Sequence, residues 1–134
     1  MKTFAITGAT GLVGSLLHKK LVSEKQNVIV LTRDLSKIRE NITGTKYLRW
    51  DTYDNSLWKN VMNEADVVVH LAGTPIIEKR WTEERKKTIY ESRVKSTQVI
   101  VDAIACSEKK PELLIVSSGV NYYGSNWEEI FTEE

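Results

Sequence analysis

Cysteine is almost missing from this chain: only Cys106 stands among its 134 residues, so no internal disulfide can staple the fold. With no second cysteine or nearby histidine, and at the apolar end of an expected helix, Cys106 reads as a small buried filler, a reactive thiol being the alternative. No metal is expected. An excess of one charge is also missing, since 19 Lys and Arg face 18 Asp and Glu, spread along the chain for a net +1. That balance gives neither the basic footprint of a nucleic-acid binder nor a polybasic arm for a membrane. No charged-apolar-small leader precedes Phe4, because the first apolar run is short and leads straight into glycines, and a cytoplasmic location is expected. Internal repeats and low-complexity segments are absent, and there are only two prolines. What remains is 41% hydrophobic, enough for one domain with a real core.

The most informative segment is Ile6-Thr7-Gly8-Ala9-Thr10-Gly11-Leu12-Val13-Gly14, with three glycines at G-x-x-G-x-x-G spacing. Glycine lets a chain turn tightly out of a strand, bring backbone N–H groups up to a pyrophosphate, and pack the following helix closely. That helix then points its positive end at the anion. Gly8, Thr10, Gly11, Leu12, Val13 and Gly14 are therefore candidate phosphate-site residues.

Patterning supplies the context that the glycines need. Thr3 to Thr7 reads as a buried strand. Val13, Leu16, Leu17 and Leu21 recur at helical spacing, leaving Lys19, Lys20 and Glu24 outside. Asn27 to Thr32 is β-branched without alternation, as in a parallel strand covered on both faces. Further strands are expected over Lys46 to Trp50, Val67 to Ala72 and Leu113 to Ser117. A long helix should run from about Thr82, a capping residue followed by Glu83 and Glu84, to Cys106. The segment after Asp34 and that around Leu57 carry weak periodicity; a turn is expected in the first and a short helix in the second. Strands alternating with helices predict an α/β fold, a Rossmann-type doubly wound sheet of about five parallel strands with helices on both faces, in one domain over residues 1–134.

The end of the second strand selects the dinucleotide. An acidic residue there would accept the ribose 2′-OH of NAD and repel the 2′-phosphate of NADP. Here Thr32 cannot repel and Arg33 offers a planar fork for phosphate, so NADP is expected over NAD. Asp34 is placed at a helix N-cap, the competing reading being a ribose ligand. Asp51 is either an acceptor for the adenine amino group or an exposed turn residue. The segment Leu71-Ala72-Gly73 has the small residues needed where backbone passes close to the ribose and nicotinamide side. His70, inside an apolar run, reads as a packed core histidine rather than an acid or base.

Together with Leu31-Thr32-Arg33, the blocks Leu71-Ala72-Gly73-Thr74-Pro75-Ile76, Arg80-Trp81-Thr82, Ser92-Arg93-Val94-Lys95-Ser96-Thr97 and Ser117-Ser118-Gly119-Val120-Asn121-Tyr122-Tyr123-Gly124 resemble the atypical short-chain dehydrogenase/reductases. The resemblance is to the branch called epimerase family proteins. It implies a catalytic serine after the fifth strand, matched by Ser118 with Ser117 as the near alternative. It also implies a tyrosine on the substrate side, Tyr122 or its neighbour Tyr123. Arg93 stands where related enzymes often carry an asparagine. It is grouped with the cofactor-binding residues as an anchor for phosphate or substrate carboxylate, the alternative being a snorkelling charge, and Trp81 is read as a pocket wall or a structural residue. The tyrosine-lysine helix and substrate-binding portion of such enzymes would follow Glu134, so the chain is expected to be the cofactor half of a longer protein, with an exposed apolar edge that favours self-association. The expected function is an NADP-dependent oxidoreductase or nucleotide-sugar-type epimerase acting on a small molecule; the alternative is a module that senses NADPH without turnover.

Overall fold

In the computed structural model, which describes residues 1–38, 40–51, 54, 56–76, 80–118 and 132, the apolar runs become five parallel strands. They are β1 (Thr3–Thr7), β2 (Asn27–Thr32), β3 (Thr45–Arg49), β4 (Val67–His70) and β5 (Leu113–Val116), ordered β3-β2-β1-β4-β5. Helices α1 (Leu12–Ser23), α2 (Ser56–Glu64) and α3 (Glu83–Cys106) make the crossovers, with a 3₁₀ turn over Leu35–Lys37. The sheet is the doubly wound one expected. Four strand ends differ by one or two residues: β3 starts and stops one residue early, β4 ends at His70, and β5 at Val116. Backbone bonding nonetheless continues past them, from Trp50 N to Thr32 O, Leu71 N to Thr7 O and Ser117 N to His70 O.

Period-two alternation inside continuous apolar runs divides the core into two layers. Ala5, Ile29, Leu31 and Val68 face Trp58, Val61 and Met62 of α2 and Ile100 and Ala103 of α3. Ile6, Val28, Val30, Val67 and Val69 face the other way, toward Leu21 and Leu17 of α1. Among the described residues no helix is long and apolar enough to cross a membrane.

Two expectations about side chains are corrected. Val13 and Leu16 were placed on the inner stripe of α1, yet they are 65% and 63% exposed. The residues that face inward are Gly14, His18 and Leu21. Gly14 sets this rotation, because a Cβ on it would lie 2.3 Å from the carbonyl oxygen of Gly8, so the helix rests on the loop through its glycine rather than its leucines. Cys106 is exposed instead of buried: the inward stripe of α3 runs through Ser96, Ile100 and Ala103, and Cys106 lies about 90° round the helix from it. Thr82 does cap α3, accepting from Arg85 N at 3.1 Å.

Candidate functional site

β1 is the middle strand, paired with β2 on one side and β4 on the other. Chain direction of travel across the sheet reverses between β1 and β4, which leaves a crevice at their carboxyl ends. A cleft of about 320 Å³ opens there, and Gly8, Thr10 and Gly11 line it together with Thr32, Arg33, Leu71, Ala72 and Gly73. Eight of the residues singled out in the sequence are thus brought together, from the ends of three strands.

The glycines do different work. Gly8 has a positive φ of 74°, and a Cβ there would sit 2.7 Å from the backbone carbon of Leu71 and 2.8 Å from the nitrogen of Ala72, so it permits the loops after β1 and β4 to touch. Gly11 is the N-cap of α1; no side chain caps the helix and its first turn holds no acidic residue. The first-turn N–H groups have no partner inside the helix, and the end of α1 carries its partial positive charge toward the cleft. Leu12 and Val13 occupy that turn as exposed side chains and supply backbone rather than cleft lining.

At the end of β2, Arg33 and Lys37 both border the cleft. Between them, Asp34 caps the 3₁₀ turn: its carboxylate accepts from Ser36 N at 3.0 Å and from Ser36 Oγ at 2.6 Å, and these bonds hold its pKa below the ordinary carboxylate value. The N-cap reading of Asp34 is therefore correct, although the residue also borders the cleft. Lys37 went unnoticed in the sequence; its signal is a cation four residues after Arg33, across a capped turn. Trp50 was also missed. It forms part of the cleft wall and packs edge-on against Trp58 at 5.3 Å and His70 at 6.1 Å, whereas Asp51 is exposed outside the lining, as in the second of its two readings.

Arg93, placed with the cofactor residues by sequence, lines a second cavity beside the cleft with Ser117. Ser118 is exposed and lines neither. Trp81 is no pocket wall; it is 58% exposed and donates from Nε1 to Ile76 O at 3.1 Å. Tyr122 and Tyr123 lie outside the described residues.

His70 is the packed histidine expected, and its bonds order a relay across the switch point. Ser96 Oγ gives its hydrogen to Ser92 O at 2.7 Å, so it accepts from His70 Nε2 at 2.9 Å. The neutral ring then accepts at Nδ1 from Thr7 Oγ1 at 2.7 Å, and Thr7 Oγ1 accepts from Ala72 N at 3.2 Å. Each bond of the relay thus has one direction, and Ser96 Oγ also lies 3.2 Å from Arg93 O. Burial pushes the His70 pKa down from 6.5 to about 4. A histidine whose folded pKa is depressed contributes stability that is complete above the unfolded value and is lost as the pH falls. Stability should therefore decline between pH 6.5 and about 4, by up to about 1.4 kcal/mol per pH unit. His18, also lowered by burial, adds in the same direction. Urea unfolding of wild type and His70→Gln across this range checks the assignment: the variant should show a flatter profile, and an unchanged profile would remove His70 as its source.

A sequence profile described as the NAD dependent epimerase/dehydratase family matches residues 4–134. An epimerase family protein of Staphylococcus haemolyticus is 38% identical over 134 residues, covering 100% of this chain and 43% of that relative. Among solved structures, MoeE5 in complex with UDP-glucose and NAD is 28% identical with a TM-score of 0.76, over 98% of this chain and 41% of its own. A human epimerase family protein with NADPH shares the fold at 23% identity and a TM-score of 0.71, over 95% of this chain and 40% of its own. The chain thus spans less than half the length of these relatives. With the profile matching all but its first three residues, the chain belongs to the NAD dependent epimerase/dehydratase family.

Proposed function

We propose that this chain binds NADP(H), and that it does so as the cofactor-holding part of an oxidoreductase or nucleotide-sugar-epimerase-like enzyme acting on a small molecule. The observation that carries the cofactor reading is the pair of cations, Arg33 and Lys37, on the rim of the cleft that also contains Gly8 and Gly11. The residues present fit a dinucleotide. The uncapped N-terminus of α1 suits a pyrophosphate, while Leu71, Ala72 and Gly73 let backbone approach the nicotinamide end. At the far end, Asp34 is engaged by Ser36, which leaves the adjacent guanidinium and ammonium groups to attract a 2′-phosphate. Solved neighbours support a nicotinamide dinucleotide of either kind, one having been solved with NADPH and another with NAD and UDP-glucose.

When bound, the nicotinamide would supply hydride transfer. This chain's part is to bind, orient and shield: the glycine loop fixes the phosphates, Trp50 closes the inner wall, and Thr7 and His70 hold the Ala72 backbone in place. Ser118, with Ser117 beside it, is proposed to orient a substrate oxygen, and Tyr122 to stand on the substrate side.

Fluorescence titration with NADPH and NADH tests the cofactor. NADPH should bind more tightly. Arg33→Ala should cost NADPH about 1.5 to 3 kcal/mol, roughly tenfold to a hundredfold, as expected for a charge-assisted contact, while leaving NADH nearly unchanged. Equal affinities in the wild type would remove Arg33 from the recognition of a 2′-phosphate.

A further inference from the structure

The second cavity, about 350 Å³, lies between α3 and the end of β5. Arg93, Thr97 and Gln98 form one wall and Ser117 another; His70 and Ala72 lie at the side shared with the dinucleotide cleft, and among the described residues no carboxylate lines it. Arg93 is half-buried. Its Nη1 donates to Thr74 O at 3.0 Å and, weakly, to Ile89 O at 3.4 Å. The guanidinium lies across Gly73, where an added Cβ would stand 3.3 Å from its Cζ and 3.4 Å from its Nη2.

One edge of the guanidinium is thus used to hold the loop after β4. Among the described residues the Nε and Nη2 hydrogens have no partner and no carboxylate pairs with the charge. Nearby charges are committed elsewhere: Glu91 pairs with Lys95, and Asp102 accepts from Gln98 Nε2 at 2.7 Å. His70 is neutral with both ring nitrogens bonded, so it neither competes with Arg93 nor reinforces it. The Thr97 and Ser117 hydroxyls are likewise without partners among the described residues. A half-buried guanidinium whose planar two-donor edge meets no described acceptor, beside two hydroxyls without described partners, matches the bidentate geometry of an oxyanion.

We propose that this cavity is an oxyanion subsite: the Nε–Nη2 edge of Arg93 receives a carboxylate or phosphate side-on, and Thr97 and Ser117 donate to its remaining oxygens. Because Ala72 borders both spaces, an anion held there lies next to the nicotinamide end of the cleft. On the cofactor reading above, on which this part rests, the subsite selects substrates that carry a negative group.

The experiment titrates the 134-residue chain, in low chloride at neutral pH, with inorganic phosphate and separately with malonate. It follows the Nε–Hε resonance of Arg93, assigned by its loss in Arg93→Lys. At least one anion should shift that resonance saturably, phosphate alone identifying a phosphate site and malonate alone a carboxylate site. Binding should weaken at least tenfold in Arg93→Met. Arg93→Lys, which keeps the charge and a donor for Thr74 O, should also weaken it while NADPH still binds. No shift with either anion, undiminished affinity in both variants, or loss of NADPH binding in Arg93→Lys would overturn the proposal. If wild type takes the anion but not NADPH, the cofactor reading fails and the oxyanion site stands.

Discussion

Replacing Gly14 with alanine should destabilise the domain by about 3 kcal/mol or more, lowering its melting temperature by about 10 °C. Helix propensity alone predicts the opposite, since alanine exceeds glycine by roughly 0.5 to 1 kcal/mol inside a helix. Packing decides the sign. The new methyl carbon would lie 2.3 Å from Gly8 O, and 2.8 Å from both Ala9 Cα and the carbonyl carbon of Gly8. All three are backbone atoms of the turn out of β1, so no side chain can rotate to make room. Either α1 lifts from the sheet or the turn opens, and each exposes part of the layer around Leu21 and Val30. Thermal unfolding followed by circular dichroism measures the effect, and an unchanged or raised melting temperature would show that α1 does not rest on the loop through this glycine.

Gly11→Asp should behave in the opposite way, keeping or slightly raising stability while removing cofactor binding. At this position an added Cβ would meet only the oxygen of Gly8, at 3.3 Å, and the helix it begins has no side-chain cap. Aspartate is a favoured N-cap and suits the positive end of the dipole, a gain of about 0.5 kcal/mol. The same carboxylate stands where the pyrophosphate would lie, and repulsion together with occupied N–H groups should weaken NADPH by at least about a hundredfold, or about 2.7 kcal/mol. Calorimetric titration beside a melting curve separates the two effects. Gly11→Asn, a neutral cap, should fall between wild type and aspartate in affinity, and aspartate binding as tightly as wild type would refute the phosphate assignment.

These two glycines also mark how far the sequence could be read. Strand order, the crossovers and the glycine loop follow from patterning, because buried parallel strands must be continuous apolar runs and three of the four connections carry a helix, the fourth, from β2 to β3, only a 3₁₀ turn. The rotation of α1 does not follow. Hydrophobicity counted Val13 and Leu16 inward, whereas the geometric demand of Gly14 turned them out. At the site, Arg33 and the small residues Leu71 to Gly73 were readable from their place at strand ends. Trp50 and Lys37 were not: Trp50 looked like the last residue of a strand, and nothing in the pattern after Asp34 singles out Lys37. Arg93 shows a third limit, since helical periodicity says which stripe a residue occupies but not on which side of the loop after β4 its long side chain will lie. Parity sets a fourth, as Ser117 and Ser118 differ by one residue at the end of a strand, enough to turn one toward a cavity and the other away.

The relay through His70 bears on the order in which the molecule assembles. Thr7 meets His70 across 63 residues of sequence and Ala72 across 65, and Thr3 N reaches the carboxylate of Asp66 over a similar span. Parallel pairing of β1 with β4 must therefore close a long chain segment before any of these bonds can form, and such non-local closure is slow. β1, α1 and β2 can associate early through nearer contacts, but the crevice beside Gly8 gains its second wall only when β4 docks. Dinucleotide affinity in refolding experiments should accordingly appear with the last kinetic phase, making cofactor capture a reporter of completed folding.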